Sequence, residues 1–177
     1  MPSWLVARIT LAFFLVVSLR GICTAAVSVS TVSELVAAVT AANSGGDSII
    51  LVNNGTYDLN GEYLRITADN VTVRSAGGNR SAVTLDGNYV TTEIFQIVAS
   101  NVIIADMTLQ KAQDHPIHVI GADDRDISGI LIDNVHIIDP GQQAGSPYKA
   151  MQVYKYASVT LCNQLKSRLR PPGRRKL

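Results

Sequence analysis

Asn70, Asn101 and Gly129 each open the same short phrase, and that repetition limits the fold more than any other feature of the chain. Asn70 leads Val71-Thr-Val73, Asn101 leads Val102-Ile-Ile104 and Gly129 leads Ile130-Leu-Ile132. Ser48 leads Ile49-Ile-Leu51 and Ser158 leads Val159-Thr-Leu161 in the same manner, at successive spacings of 22, 31, 28 and 29 residues. Self-similarity at about 20–50 residues is the signature of units that stack because none can bury its apolar face alone. Asn and Gly share one backbone property: both enter the left-handed region cheaply, where other residues lose about 1–2 kcal/mol. The marker position therefore reads as a sharp bend ahead of a strand, not as a polar site.

Two more strands follow each bend strand. The second group is Tyr57-Asp-Leu59, Val83-Thr-Leu85, Met107-Thr-Leu109 and Val135-His-Ile137; the third is Tyr63–Ile66, Ile94–Ile97, Ile117–Ile120 and Met151–Tyr154. Alternating apolar residues mark each as a strand with one buried side. Three strands per turn of roughly 22 residues predict an all-β coil of four to five turns, extra length going into loops such as 76–81, 111–116 and 122–127. Ahead of the first turn, residues 31–43 place Leu35, Val36, Val39 and Ala42 near one helical face, with Ser33 and Glu34 as the start signal and "NSGGD" as the stop. A short amphipathic helix there is placed to cover the open end of the first turn.

The flanks read differently. Arg8, an apolar run from Ile9 to Leu19, then Cys23, Thr24, Ala25 and Ala26 have the order of a secretory signal, so residues 1–26 are expected to be removed and the domain to span 27–163. The run is short for a membrane span, which needs about 20 residues. The expected location is secreted or periplasmic, with no membrane contact after cleavage. Cleavage leaves Cys162 alone, so no internal disulfide framework is expected. Residues 27–139 carry 14 acidic and five basic side chains, whereas 140–177 carry eight basic and none acidic. The tail 164–177 is expected to be disordered: Lys166, Arg168, Arg170, Arg174, Arg175 and Lys176 repel, and Pro171-Pro172 interrupts regular structure. Aromatic residues are not interleaved with these basic ones, which argues against a nucleic-acid arm. A last turn left uncapped by such a tail would expose Val159 and Leu161 and invite self-association.

The stretch "SELVAAVTAANSGGDSIILVNNGTYDL" carries a helix, the Gly46-Asp47 turn, the apolar strand Ile49–Val52 and the Gly55-Thr56-Tyr57 turn, in that order. It resembles the opening of right-handed parallel β-helix proteins of the pectin-lyase-like class, and the Asn-Val phrases are similar to that class's coil repeats. The resemblance covers about residues 31–163. It implies a right-handed parallel β-helix with an N-terminal capping helix. For activity it implies a range from polysaccharide lyases, hydrolases and epimerases to non-catalytic adhesin-like proteins. The opening is especially similar to alginate and chondroitin lyase-like members, which makes acidic polysaccharide the expected ligand class. Members that act on polysaccharides usually have many more coils, so two alternatives stand beside a lyase: a non-catalytic secreted binding or structural protein, and an inactive portion of a longer β-helix.

A β-elimination needs a base for the proton beside a uronic carboxylate and a cation to neutralise that carboxylate. The loop "QKAQDHPIH" offers Lys111, Asp114 and His115 as catalytic candidates, with His118 in the strand beyond. The next turn adds His136, then Asp139, Gln142 and Gln143 as candidate substrate-binding groups. The expectation is that Lys111, Asp114 and His115 face solvent beside Asp139 and Gln142. No cofactor is expected. Asp123, Asp124 and Asp126 would make at most part of a calcium site, which wants about six to eight oxygens.

Overall fold

Three parallel sheets take up the chain in rotation. The computed structural model describes residues 25–121, 126–141, 151–154, 157–162 and 166–168. The first sheet holds β1 (Ala26–Val29), β2 (Ile49–Val52), β5 (Thr72–Ser75), β8 (Ile103–Ala105), β11 (Ile127–Asp133) and β14 (Ala157–Cys162), in that order. The second holds β3 (Gly55–Asp58), β6 (Val83–Asp86), β9 (Thr108–Gln110), β12 (His136–Ile138) and β15 (Lys166–Arg168). The third holds β4 (Leu64–Ile66), β7 (Glu93–Ile97), β10 (His115–Ile120) and β13 (Met151–Tyr154). From β2 onward each strand pairs in parallel with the one three places along. All three strand groups read from the sequence are therefore present.

Register stacks like on like. Ile50, Val73, Ile104 and Ile132 follow one another across the first sheet, Tyr57, Leu85, Leu109 and Ile137 across the second, and Leu64, Phe95 and Ile117 across the third. All of these are buried in one continuous core. Each fully buried aliphatic or aromatic side chain stabilises by about 1.5–3 kcal/mol, so stacked rows of this kind hold the fold. The first-sheet row ends at Leu161 of β14, which is 48% exposed.

Asn70 and Asn101 bend the chain ahead of a strand as read, whereas Gly129 lies inside β11, at a register irregularity between Ile127 and Ile130. Asn70, Asn101 and Gly129 have φ of 67°, 57° and 72°, and Val71, Val102 and Ile130 after them are buried. The Asn101 side-chain amide donates to Asn70 Oδ1 at 3.2 Å, while the backbone N–H groups of Asn70 and Asn101 donate to Ser100 O and Ser128 O of the following rotation. At Gly129 a Cβ would run into Asn101 Oδ1, so a larger residue there would have to displace the Asn101 side chain as well as adopt an unfavourable φ. A second corner, not read from the sequence, uses Asp106 (φ 58°) and Asn134 (φ 51°). Asn134 Nδ2 donates to Asp106 Oδ1 at 2.9 Å, and Arg74 pairs with Asp106 Oδ2 at 2.6 Å.

The helix α1 spans Val32–Asn43, and its start differs from the expected one. Thr31, not Ser33, is the N-cap: its Oγ1 accepts from Glu34 N–H, and Glu34 Oε2 accepts from Ser30 N–H. This is a Thr-x-x-Glu capping arrangement two residues earlier than read. Leu35, Ala38, Val39 and Ala42 bury the inner face, whereas Val36 is only partly buried. The last helical residue secures a sheet edge. Asn43 Nδ2 donates to Arg65 O, and Asn43 Oδ1 accepts from Thr67 N–H and Ala68 N–H, beside the edge strand β4. Gly55-Thr56-Tyr57, read as a turn, is part of β3, and Tyr57 is buried and donates its hydroxyl to Asn53 O at 2.9 Å.

Three further points bear on the expectations. The strand β1 precedes the helix, where the sequence reading placed none. Residues 1–24, which include most of the signal-like stretch, lie outside the described residues. Lys166–Arg168, from the stretch expected to be disordered, form β15 against β12, while 169–177 lies outside the described residues. Among the described residues no helix is long and apolar enough to cross a membrane.

Candidate functional site

The loop residues nominated by the sequence divide into two groups. Lys111 is the first residue after β9 and Asp139 the first after β12; both are left-handed, with φ of 52° and 45°. They are neighbours in the stack, with Lys111 N–H donating to Ile138 O. This is a third corner, and Lys111 is a corner residue before it is a charge. Its ammonium is held by Asp86 Oδ2 at 2.8 Å, the oxygen that also accepts from Gln110 Nε2 at 2.7 Å. Asp86 Oδ1 accepts from Asn88 N–H. Burial works against the charged Asp86 carboxylate, but Lys111, the Asn88 N–H and Gln110 outweigh it and hold its pKa below the usual range. Asp139 is buried at the same corner, contrary to the expectation of a solvent-facing group. Gln142, Gln143, Asp123 and Asp124 lie outside the described residues.

The second group forms on the third sheet and has a member the sequence reading missed. His115 opens β10 directly opposite Glu93 of β7. Glu93 Oε1 lies 2.7 Å from His118 Nδ1 and 3.3 Å from His115 Nε2, while Glu93 Oε2 accepts from Gln96 Nε2 at 3.2 Å. His115 Nδ1 lies 3.2 Å from Asp114 Oδ1, and the two imidazoles meet edge to face with centroids 4.7 Å apart. Residues three apart on a regular strand point to opposite faces. Here the two rings meet although both residues belong to β10, whose pairing with β7 passes over Pro116.

His115 is thus not the solvent-facing base that was expected: its side chain is 3% exposed. Burial alone would lower its pKa, but Glu93 and Asp114 raise it. Burial likewise works against the charged Glu93, and His115 and His118 overcome it and lower its pKa. Despite these short approaches, neither His115 ring nitrogen makes a well-directed hydrogen bond. Glu93 could have been found by register. Lined up on their first residues, the third-strand segments set Ile94 against Ile117, whereas the fold pairs Phe95 with Ile117. That one-residue correction is what brings Glu93 opposite His115.

Around this cluster the outer face of the third sheet carries a polar row. Arg65 pairs with Gln96 and Gln96 with His118 in register across three strands. Tyr63, two residues before Arg65, is 46% exposed. Gly61, Tyr63, Thr92, Glu93 and Gln96 line an open depression of about 180 Å³. A larger one, about 430 Å³, lies between α1 and the β3–β4 connection; the charged side chains lining it are Asp58 and Glu62, with neither a base-and-cation pair nor a histidine. The chemistry therefore favours the smaller depression. No protein-family model, no curated protein and no solved structure matches the chain.

Proposed function

We propose that the three sheets are the faces of an exported right-handed parallel β-helix, capped by α1, whose third face binds acidic polysaccharide. The observation that carries the reading is the register row Arg65–Gln96–His118 beside exposed Tyr63. Neighbouring strands lie about 4.8 Å apart, so the row offers polar groups at regular intervals along a straight path, as an extended polymer requires. Tyr63 supplies a flat apolar surface with a polar tip for a sugar ring, and the Arg65 guanidinium can take a uronate carboxylate in a two-point contact. The body of the domain is acidic, so general charge attraction does not support the reading; these particular contacts do.

Binding is favoured over elimination because His115 is enclosed between carboxylates and Lys111 is engaged by Asp86. Titration of the chain with alginate, pectate and chondroitin, followed by calorimetry, tests both readings. Saturable binding weakened by Tyr63→Ala and Arg65→Ala is expected. Failure to bind all three polymers would remove the proposal. Ultraviolet absorbance from unsaturated products would instead establish a lyase.

A further inference from the structure

We propose that Glu93, His115 and His118 form a binding site for a divalent transition-metal ion of the zinc class. Two imidazoles and one carboxylate are the donor set that such ions accept, with a further coordination position left open. Each residue offers one ligand atom, and the three atoms lie within 4.8 Å of one another. Tetrahedral coordination at bonds of about 2.0–2.1 Å sets donor atoms about 3.3 Å apart. The His115 Nε2 to Glu93 Oε1 separation is 3.3 Å. His118 Nδ1 to Glu93 Oε1, at 2.7 Å, needs to open by a rotation of the partly exposed His118 ring.

A second observation separates this site from an ordinary charge cluster. The His115 ring is almost fully buried, yet its two nitrogens make no directed hydrogen bond, an unusual state for a buried polar group. An ion placed among Nε2 and the two neighbouring donors would satisfy the nitrogen that faces them. The backbone fixes the arrangement in advance: Glu93 and His115 stand opposite each other in register, and His115 and His118 share one strand. Asp114 Oδ1, 3.2 Å from His115 Nδ1, is near enough to become the outer carboxylate that orients the imidazole once the ion turns the ring. Glu93 also lines the depression beside Tyr63, so the ion's open position would be reached from that side. The site does not depend on any saccharide.

The test uses the full chain and Zn²⁺ alone, by equilibrium dialysis, with Co²⁺ as a spectroscopic probe. One equivalent of Zn²⁺ is expected, and Co²⁺ should show the visible absorption of a four- or five-coordinate nitrogen–oxygen site. His118→Gln and Glu93→Gln should each weaken binding at least tenfold, since even outer-shell changes cost about 10–100-fold. His118 is 16% exposed and tolerates substitution better than buried His115, so His118→Gln decides the matter if another variant fails to fold. His136→Gln and Cys162→Ser, which remove potential ligands elsewhere in the chain, should leave binding unchanged. Absence of saturable Zn²⁺ binding, or binding that survives His118→Gln and Glu93→Gln, overturns the proposal.

Discussion

The side-chain amide of Asn101 donates to Asn70 Oδ1 across one full rotation of the chain, 31 residues away in sequence. Both residues hold the left-handed backbone that turns the third sheet into the first. Two separate effects therefore meet at one position. Asn101→Ala should cost about 1–2 kcal/mol for the backbone and about 0.5–1.5 kcal/mol for the lost hydrogen bond. Asn101→Gly should cost less, since only the hydrogen bond goes. Urea denaturation of the two variants checks the division, and equal losses would show that φ contributes little.

Gly129 is held by that same asparagine. Gly129→Ala brings a Cβ against Asn101 Oδ1 and forces an L side chain to φ 72°. Gly129→Val adds a β-branch that fits a left-handed bend badly and should lose more stability. The clash, but not the backbone cost, should vanish when Asn101 is also Gly. A double-mutant cycle in urea should therefore show Gly129→Ala to be less harmful in the Asn101→Gly background. Additive losses would place the whole cost in the backbone.

Asp86 makes stability depend on acidity. Its pKa is depressed in the fold, so the carboxylate contributes stability above its unfolded pKa of about 3.9 and loses it as pH falls through the folded value. Asp86→Asn should lower the melting temperature at pH 7, and the gap to the parent chain should shrink below about pH 4. A gap that holds constant down to the acid limit would mean that Lys111 and Gln110 do not favour the ionised form.

Leu161 sits on β14, the last strand of the first sheet among the described residues, half exposed and next to exposed Cys162. An edge strand with apolar side chains is a template for pairing with a second chain. We expect sedimentation to depend on concentration and Leu161→Lys to shift it towards the single chain. In oxidising buffer Cys162 should cross-link two copies on a non-reducing gel. A wild-type chain that sediments as one species at every concentration would rule this association out.

Strand groups and bends were legible because they obey strong local rules. A left-handed corner selects Asn or Gly, as at Asn70, Asn101 and Gly129, and a half-buried strand alternates, as in Val83-Thr-Leu85. Other corners were hidden by their chemistry. Asp106, Lys111 and Asp139 carry charges, and the last two were read as possible site groups although each occupies a left-handed turn. The strand β1 was hidden because Ala26 also fits the small-residue end of a signal. Glu93 was hidden for a different reason: nothing near it in sequence marks it, and only the pairing of β7 with β10 joins it to His115. Loop chemistry can be read residue by residue, whereas this cluster depends on a register that one residue of misalignment conceals.

The stacked rows also set how the chain would come apart. Along the first sheet, partners such as Ile50 and Val73, Val73 and Ile104, Ile104 and Ile132, and Ile132 and Leu161 lie 23, 31, 28 and 29 residues apart. Loop-closure cost grows only with the logarithm of length, so each rotation asks for nearly the same ordering entropy as the last. Stretched between its two ends in a single-molecule instrument, the chain should yield in a series of similar events. Each would free roughly 30 residues, or about 100 Å of extended backbone, so the force trace should resemble a staircase rather than one cliff.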